Sequence, residues 1–71
     1  MPNDFPSLRE ELESRIKALT GGRLRNLDIN VSPTGIVLKG QAQTFYIKQL
    51  AQHGVREMLP DVRLDNAIQV S

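Results

Sequence analysis

Cysteine and tryptophan are absent from this chain, and aromatic residues make up 4% of its 71 positions. Without cysteine, neither a disulfide framework nor a thiolate metal site can supplement the hydrophobic core. The chain has a single histidine, so we expect no zinc site built from protein ligands alone and no other cofactor. A chain of this length has room for one domain with one small core.

Long hydrophobic runs are absent as well. No segment approaches the ~18 consecutive apolar residues of a membrane-spanning helix. The N-terminus has neither the basic region nor the apolar region of a secretory signal. If the chain is a full-length product we therefore expect it in the cytoplasm, and if it is excised from a larger exported protein we expect it at the cell envelope or in the periplasm.

Acidic residues are scarce in the middle of the chain. Residues 14–56 carry seven Lys or Arg side chains and one Asp, whereas residues 1–13 carry one positive and four negative charges. Residues 57–71 carry one positive and three negative charges. A near-neutral chain with a basic middle predicts a local positive patch or a set of dispersed, solvated charges.

Capping and periodicity predict a helix followed by two strands. We expect residues 1–6 to form a flexible arm and residues 7–71 to form a single domain. Ser7 and Glu10 fit a capping box, and an apolar stripe follows at helical spacing until Gly21 and Gly22 end the helix. A strand with alternating apolar residues is predicted over residues 23–31, and a short turn then leads into a second strand.

The spacing of apolar residues changes twice in the second half of the chain, from that of a strand to that of a helix and back. After Ala42, Thr44 is the predicted N-cap of a helix whose inner face includes Gly54 and which Pro60 ends. Gly54 within that face indicates a close backbone approach or a weak helix. Residues 62–70 alternate again as a third strand. The predicted fold is α+β, in the order α-β-β-α-β, with two helices packed on one face of a three-stranded mixed sheet.

Three of these segments resemble the BON domain (bacterial OsmY and nodulation domain) family. The resemblance is carried by the turn and alternating strand of Ile36, Leu38, Gly40 and Ala42, the amphipathic helix, and the final strand from Val62 to Val70. It covers about residues 8–70. The resemblance implies a non-catalytic module, often at the bacterial cell envelope, that attaches to phospholipid or to a protein partner.

Four basic residues are the candidate contacts for a headgroup or another phosphate: Arg23, Arg25, Lys39 and Lys48. Phe45 and Tyr46, at the start of the second helix, are candidates to enter a membrane interface or to stack on a base; the alternative is that they complete the edge of the core.

Two other classes compete with a lipid- or protein-binding module. The layout is also similar to a small KH-like nucleic-acid-binding domain, although Gly21 and Gly22 lead into a strand and form no Gly-x-x-Gly loop between helices. Self-association through an edge strand or the open sheet face is a further alternative. His53 has no nucleophile or carboxylate at the spacing of a catalytic triad, so we expect no catalytic or metal-binding residue and no enzyme.

Overall fold

The structure, a computed structural model, describes the backbone of residues 4–71 and the side chains of residues 8–71, and it confirms the predicted α+β class and element order. Helix α1 is Asp4–Thr20, strand β1 is Leu24–Ser32, strand β2 is Gly35–Ala42, helix α2 is Phe45–Met58 and strand β3 is Leu64–Val70. Both helices pack on one face of a mixed sheet, as predicted, and leave the other face open.

Strand β2 lies at the centre of the three-stranded sheet formed by the described residues, in the order β1-β2-β3. β1 pairs with it antiparallel through a tight hairpin that Ser32 and Gly35 close. β3 pairs with it parallel, which requires the crossover that α2 supplies. β1 and β3 are therefore the two edges of the sheet.

The core lies between the helices and the sheet. Its buried members come from every element: Leu12, Ile16, Ile29, Ile36, Leu38, Ala42, Ile47, Ala51, Val55 and Ile68. They recur with a period of about 3.6 in the helices and of two in the strands, because these are the periods at which side chains return to one face. The periodicity of the sequence thus predicted the faces that became buried.

Helix α1 begins at Asp4, earlier than the predicted start after Ser7. The prediction treated Pro6 as part of an arm, but the first turn of a helix has no intrahelical partners for its N–H groups and therefore accepts proline. Residues 1–3 of the predicted arm lie outside the described residues. The predicted helix end is confirmed, because Gly21 adopts φ 61° directly after Thr20.

Two predicted strands begin slightly too early. Arg23 donates its backbone N–H to the Thr20 carbonyl at 3.1 Å, so it belongs to the turn that follows α1. Val62 is held in the connection before β3, where its carbonyl accepts a hydrogen bond from the Arg56 guanidinium. Both residues lie at element boundaries, where a side-chain period cannot distinguish a strand from its entry turn.

Candidate functional site

Three chain segments meet at one end of the sheet. Leu24 at the start of β1 pairs with Ala42 at the end of β2, and Ala42 pairs with Val70 at the end of β3. Helix α2 begins shortly after Ala42, so its N-terminus lies at the same end. We call this region, comprising residues 21–27, 40–49 and 68–71, the Ala42 end.

Large apolar side chains reach solvent at the Ala42 end. Among the described residues, the exposed large hydrophobic side chains are Phe45, Tyr46 and Val70, at 60%, 63% and 44% exposure. Thr44 accepts a hydrogen bond from the Ile47 N–H at 3.2 Å and so caps α2 as predicted. This cap fixes the first turn of α2, on which Phe45 and Tyr46 stand side by side, and keeps both rings outside the core.

The structure places Arg23 and Arg25 together at the Ala42 end. Both line a hollow of about 150 Å³ with Gln41, Gln43 and Ser71. Both side chains are exposed. Arg23 stands in the turn before β1, and Arg25 lies opposite Gln41 on the open face of the sheet.

Lys39 and Lys48 lie on opposite sides of the sheet. Lys39 is exposed on the open face, where its strand register places it opposite Asp28. Lys48 is half-buried on α2 and lines a groove of about 500 Å³ together with Phe45 and Tyr46. The four predicted cations therefore do not form one cluster: Arg23, Arg25 and Lys48 belong to the Ala42 end, and Lys39 lies beside a carboxylate in the middle of the open face.

The Ala42 end carries no carboxylate side chain. Its three segments contain Arg23, Arg25 and Lys48 but no Asp or Glu. The first turn of α2 likewise has no acidic residue, so the positive end of the helix dipole is not offset there. Cationic side chains and the α2 N-terminus thus contribute positive charge next to exposed aromatic rings, and the C-terminus of α1, directly before Gly21, contributes a partial negative charge at the same end.

A β-bulge determines which way Arg25 points. The register of β1 and β2 shifts between Arg25 and Asp28, and Asn26 within the bulge has φ 54°. Gly40 lies opposite the bulge and has φ 153°. If side chains alternated strictly between the two faces of β1, Arg25 would share the face of Leu27 and point toward the helices. The extra residue in the bulge instead places Leu24 inward and Arg25 on the open face. The sequence signals for the bulge were Asn26, which tolerates positive φ, and Gly40.

Asn66 joins β3 to α2 beneath the groove. Its amide nitrogen donates to the Lys48 carbonyl at 3.1 Å and to Gln52 Oε1 at 3.2 Å, and its Oδ1 accepts from the Ile68 N–H at 3.2 Å. The alternation predicted over residues 62–70 puts Asn66 on the same face as Leu64 and Ile68, but it indicates no role for the side chain. An amide at an inward-facing strand position was the available signal, because a half-buried amide needs partners.

His53 lies on the exposed side of α2. Its Nε2 is 3.4 Å from Glu57 Oε2, and the other oxygen of Glu57 accepts a hydrogen bond from Arg15 at 3.0 Å. The His53 side chain is about two-thirds exposed, and those of Arg15 and Glu57 are a little less than half exposed. This cluster links α1 to α2 on the surface, and its carboxylate is engaged by two neighbours.

Among the side chains that the structure describes, those of residues 8–71, no group of three or more His, Cys, Asp or Glu is arranged to hold a metal ion. No helix in the described part of the chain has the length and apolar character needed to span a membrane. Comparisons with protein-family models, with curated proteins and with solved structures found no match.

Proposed function

We propose that the chain is a non-catalytic binding module of BON type that docks its Ala42 end onto an anionic phospholipid surface, such as a leaflet of the cell envelope. The observation that carries this proposal is the coincidence of exposed apolar rings, cations and an absence of carboxylates at one end of the fold. An interfacial protein needs an apolar contact for the acyl boundary and a positive charge for the phosphates.

Each part of the Ala42 end has a role in this proposal. Phe45 and Tyr46 enter the headgroup region. The Tyr46 ring is favoured there because its apolar body and its hydroxyl tip find different surroundings, and the Phe45 ring adds apolar contact area. Arg23 and Arg25 contact lipid phosphates. Lys48 extends from the groove beside the rings, with its apolar stem along the protein and its ammonium group toward the headgroups.

The expected strength of binding is modest. Each Lys or Arg near an anionic leaflet contributes about 1 kcal/mol, so Arg23, Arg25 and Lys48 together supply about 3 kcal/mol, or a factor of about 100 in partitioning. This attraction weakens with salt, because exposed charges are screened over a Debye length of about 10 Å at 0.1 M ionic strength. The rings add an apolar contribution that salt does not weaken.

Vesicle flotation tests the proposal. The protein is mixed with phosphatidylglycerol-containing vesicles, with phosphatidylcholine vesicles and, in a separate titration, with short single-stranded RNA. We expect binding to the anionic vesicles alone. Replacing Arg23→Gln and Arg25→Gln together should lower that binding by about 2 kcal/mol in partition free energy, or roughly 30-fold.

The matched control removes the same charge elsewhere. Arg9 lies toward the start of α1, and Arg63 precedes β3 at the opposite end of the sheet; both are exposed. The double variant Arg9→Gln and Arg63→Gln should bind anionic vesicles nearly as well as the parent chain. Equal losses in the two double variants would show that net charge alone drives binding. Binding to RNA without binding to vesicles would favour the nucleic-acid alternative, and binding to neither would favour a protein partner.

A further inference from the structure

The two edges of the sheet differ in how their outward backbone groups are satisfied. Ile36 of β2 donates its N–H to the Arg63 carbonyl on the β3 side at 2.8 Å. Because successive residues of a strand direct their N–H and C=O groups to opposite sides, Val37 and Lys39 direct theirs toward β1. Their partners there are Asn30 and Asp28. Ile29 and Val31 therefore direct their backbone groups away from the sheet.

The β3 edge is protected. The N–H of Ile68 points outward, since it is satisfied by the Asn66 side chain of its own strand. Asn66 is itself anchored to α2 through the Lys48 carbonyl. A side chain that occupies an outward N–H prevents another strand from pairing at that position, which is one way in which proteins protect an edge.

The β1 edge has no such protection from residues 8–71, the part of the chain whose side chains the structure describes. No side chain and no turn or loop group there bonds to the backbone of Ile29 or Val31. Lysine and proline, which commonly block edges, are absent between Leu24 and Ser32, and the bulge, another blocking device, is confined to the part of β1 before Asp28. Val31 is only half-buried, so its side chain still has apolar surface to cover.

We propose that a second copy of this chain pairs with the β1 edge, antiparallel about a two-fold axis at Asn30. In this register Ile29 of each copy lies opposite Val31 of the other, and both pairs are hydrogen-bonded pairs that exchange two backbone bonds each. The bulge between Arg25 and Asp28 ends the ladder on one side, and Pro33 ends it on the other. The result is a continuous sheet with both helical layers on the same side.

The side chains on the open face are compatible with this register. The one ionisable residue between Asn26 and Ser32 is Asp28, and the two-fold places it opposite the Ser32 hydroxyl of the other copy, so no like charges face each other. Asn30 of one copy faces Asn30 of the other copy across the axis, where the two side-chain amides can donate to and accept from each other. An isologous contact needs this kind of self-complementarity.

What the dimer implies for its two Ala42 ends rests on the proposed function. Antiparallel pairing of β1 points the two Ala42 ends in opposite directions. The dimer therefore contacts two anionic surfaces, one at each end, and bridges them, whereas it cannot place both ends on one flat surface.

Charge variants of Asn30 test the dimer in the absence of lipid. On the two-fold axis, residue 30 of one copy lies opposite residue 30 of the other. Asn30→Asp and Asn30→Lys should therefore each raise the dimer dissociation constant by about fivefold, as expected for like charges directly opposite on neighbouring strands. Mixing the two variants should restore association as a heterodimer, because the carboxylate then faces the ammonium group. Sedimentation equilibrium measures this as a return toward twice the monomer mass of 8.0 kDa.

The control substitutions stand on the protected edge. Gln69 is exposed on β3, and Gln69→Glu and Gln69→Lys should leave the dissociation constant unchanged. In amide hydrogen exchange, the N–H groups of Ile29 and Val31 should become more protected as concentration rises. A chain that stays monomeric at millimolar concentration overturns the proposal, and so does a dimer whose dissociation constant is insensitive to both charges at Asn30.

Bridging is measured separately as vesicle turbidity. We expect the parent chain to aggregate anionic vesicles, and Asn30→Asp to bind the same vesicles without aggregating them. Failure of the chain to bind any vesicle would overturn the proposed function while leaving the sedimentation result intact.

Discussion

Gly40 lies directly against the main chain of Arg25: a Cβ atom built on Gly40 would be 2.9 Å from the Arg25 carbonyl oxygen. Gly40 also has φ 153°, in the region that side chains rarely adopt. The close contact exists because the bulge in β1 brings its backbone against β2. One glycine therefore permits the bulge that exposes Arg25 at the Ala42 end.

Replacing Gly40→Ala should destabilise the fold by about 2 kcal/mol, because the new methyl group meets a carbonyl and the backbone is strained. Urea unfolding measures the loss. Gln41→Ala, at the next and exposed position, is the control and should change stability by less than about 0.5 kcal/mol. Equal stability of the two variants would show that the bulge does not depend on this glycine.

Gly54 of α2 packs directly against side chains of α1. A Cβ atom there would lie 3.0 Å from Leu19 Cδ1 and 3.4 Å from Ile16 Cγ1, which confirms the predicted close approach. Gly54→Ala gains about 1 kcal/mol of helix propensity, and we expect this gain to offset most of the crowding, so that stability changes by less than about 1 kcal/mol. Gly54→Leu should cost about 2–3 kcal/mol, because the helices must separate.

Thermal unfolding distinguishes these two outcomes. Gln49→Leu places the same side chain on the exposed side of α2 and serves as the control. If Gly54→Leu is as stable as Gln49→Leu, then α1 does not pack at Gly54 as described.

Thr44 caps the helix that carries the exposed rings. Thr44→Ala should destabilise the protein by about 1 kcal/mol through loss of the bond to the Ile47 N–H, whereas Thr44→Ser keeps the hydroxyl and should retain most of the stability. Chemical denaturation of the two variants side by side measures the difference. A serine variant as unstable as the alanine variant would indicate that the Thr44 methyl group, and not the cap, stabilises the helix start.

Asn66 stabilises the fold and protects its edge. Asn66→Ala should cost about 1–3 kcal/mol, because three hydrogen bonds are lost, two of them to part-buried backbone groups. It should also free the Ile68 N–H, so that both edges pair and assemblies larger than a dimer form. Light scattering detects these assemblies, and Gln69→Ala is the control. A variant that is less stable but does not form larger assemblies would leave Asn66 with a structural role alone.

Much of this fold was predictable from the sequence, because the features concerned are local or periodic. The cap at Thr44, the stop at Gly21, the end of α2 before Pro60 and the buried faces all follow from neighbouring residues. The bulge was not predicted, because it depends on the register between Asn26 and Gly40, which are far apart in sequence.

The candidate site was only partly predictable for the same reason. The basic character of Arg23, Arg25, Lys39 and Lys48 is visible in the sequence, but the strand register decides which of them share an end of the molecule. The sequence also did not decide whether Phe45 and Tyr46 complete the edge of the core or lie in solvent. Their exposure follows from α2 presenting Ile47 and Ala51 to the sheet, which turns both rings outward.

The most direct test of the account uses the emission of Tyr46. The chain contains one tyrosine and no tryptophan, so its ultraviolet fluorescence above the phenylalanine background reports on this side chain alone. Vesicles of phosphatidylglycerol with brominated acyl chains quench a ring that enters the interface. We expect strong quenching with these vesicles and none with brominated phosphatidylcholine. Binding to the anionic vesicles with unquenched Tyr46 emission would contradict docking through the Ala42 end.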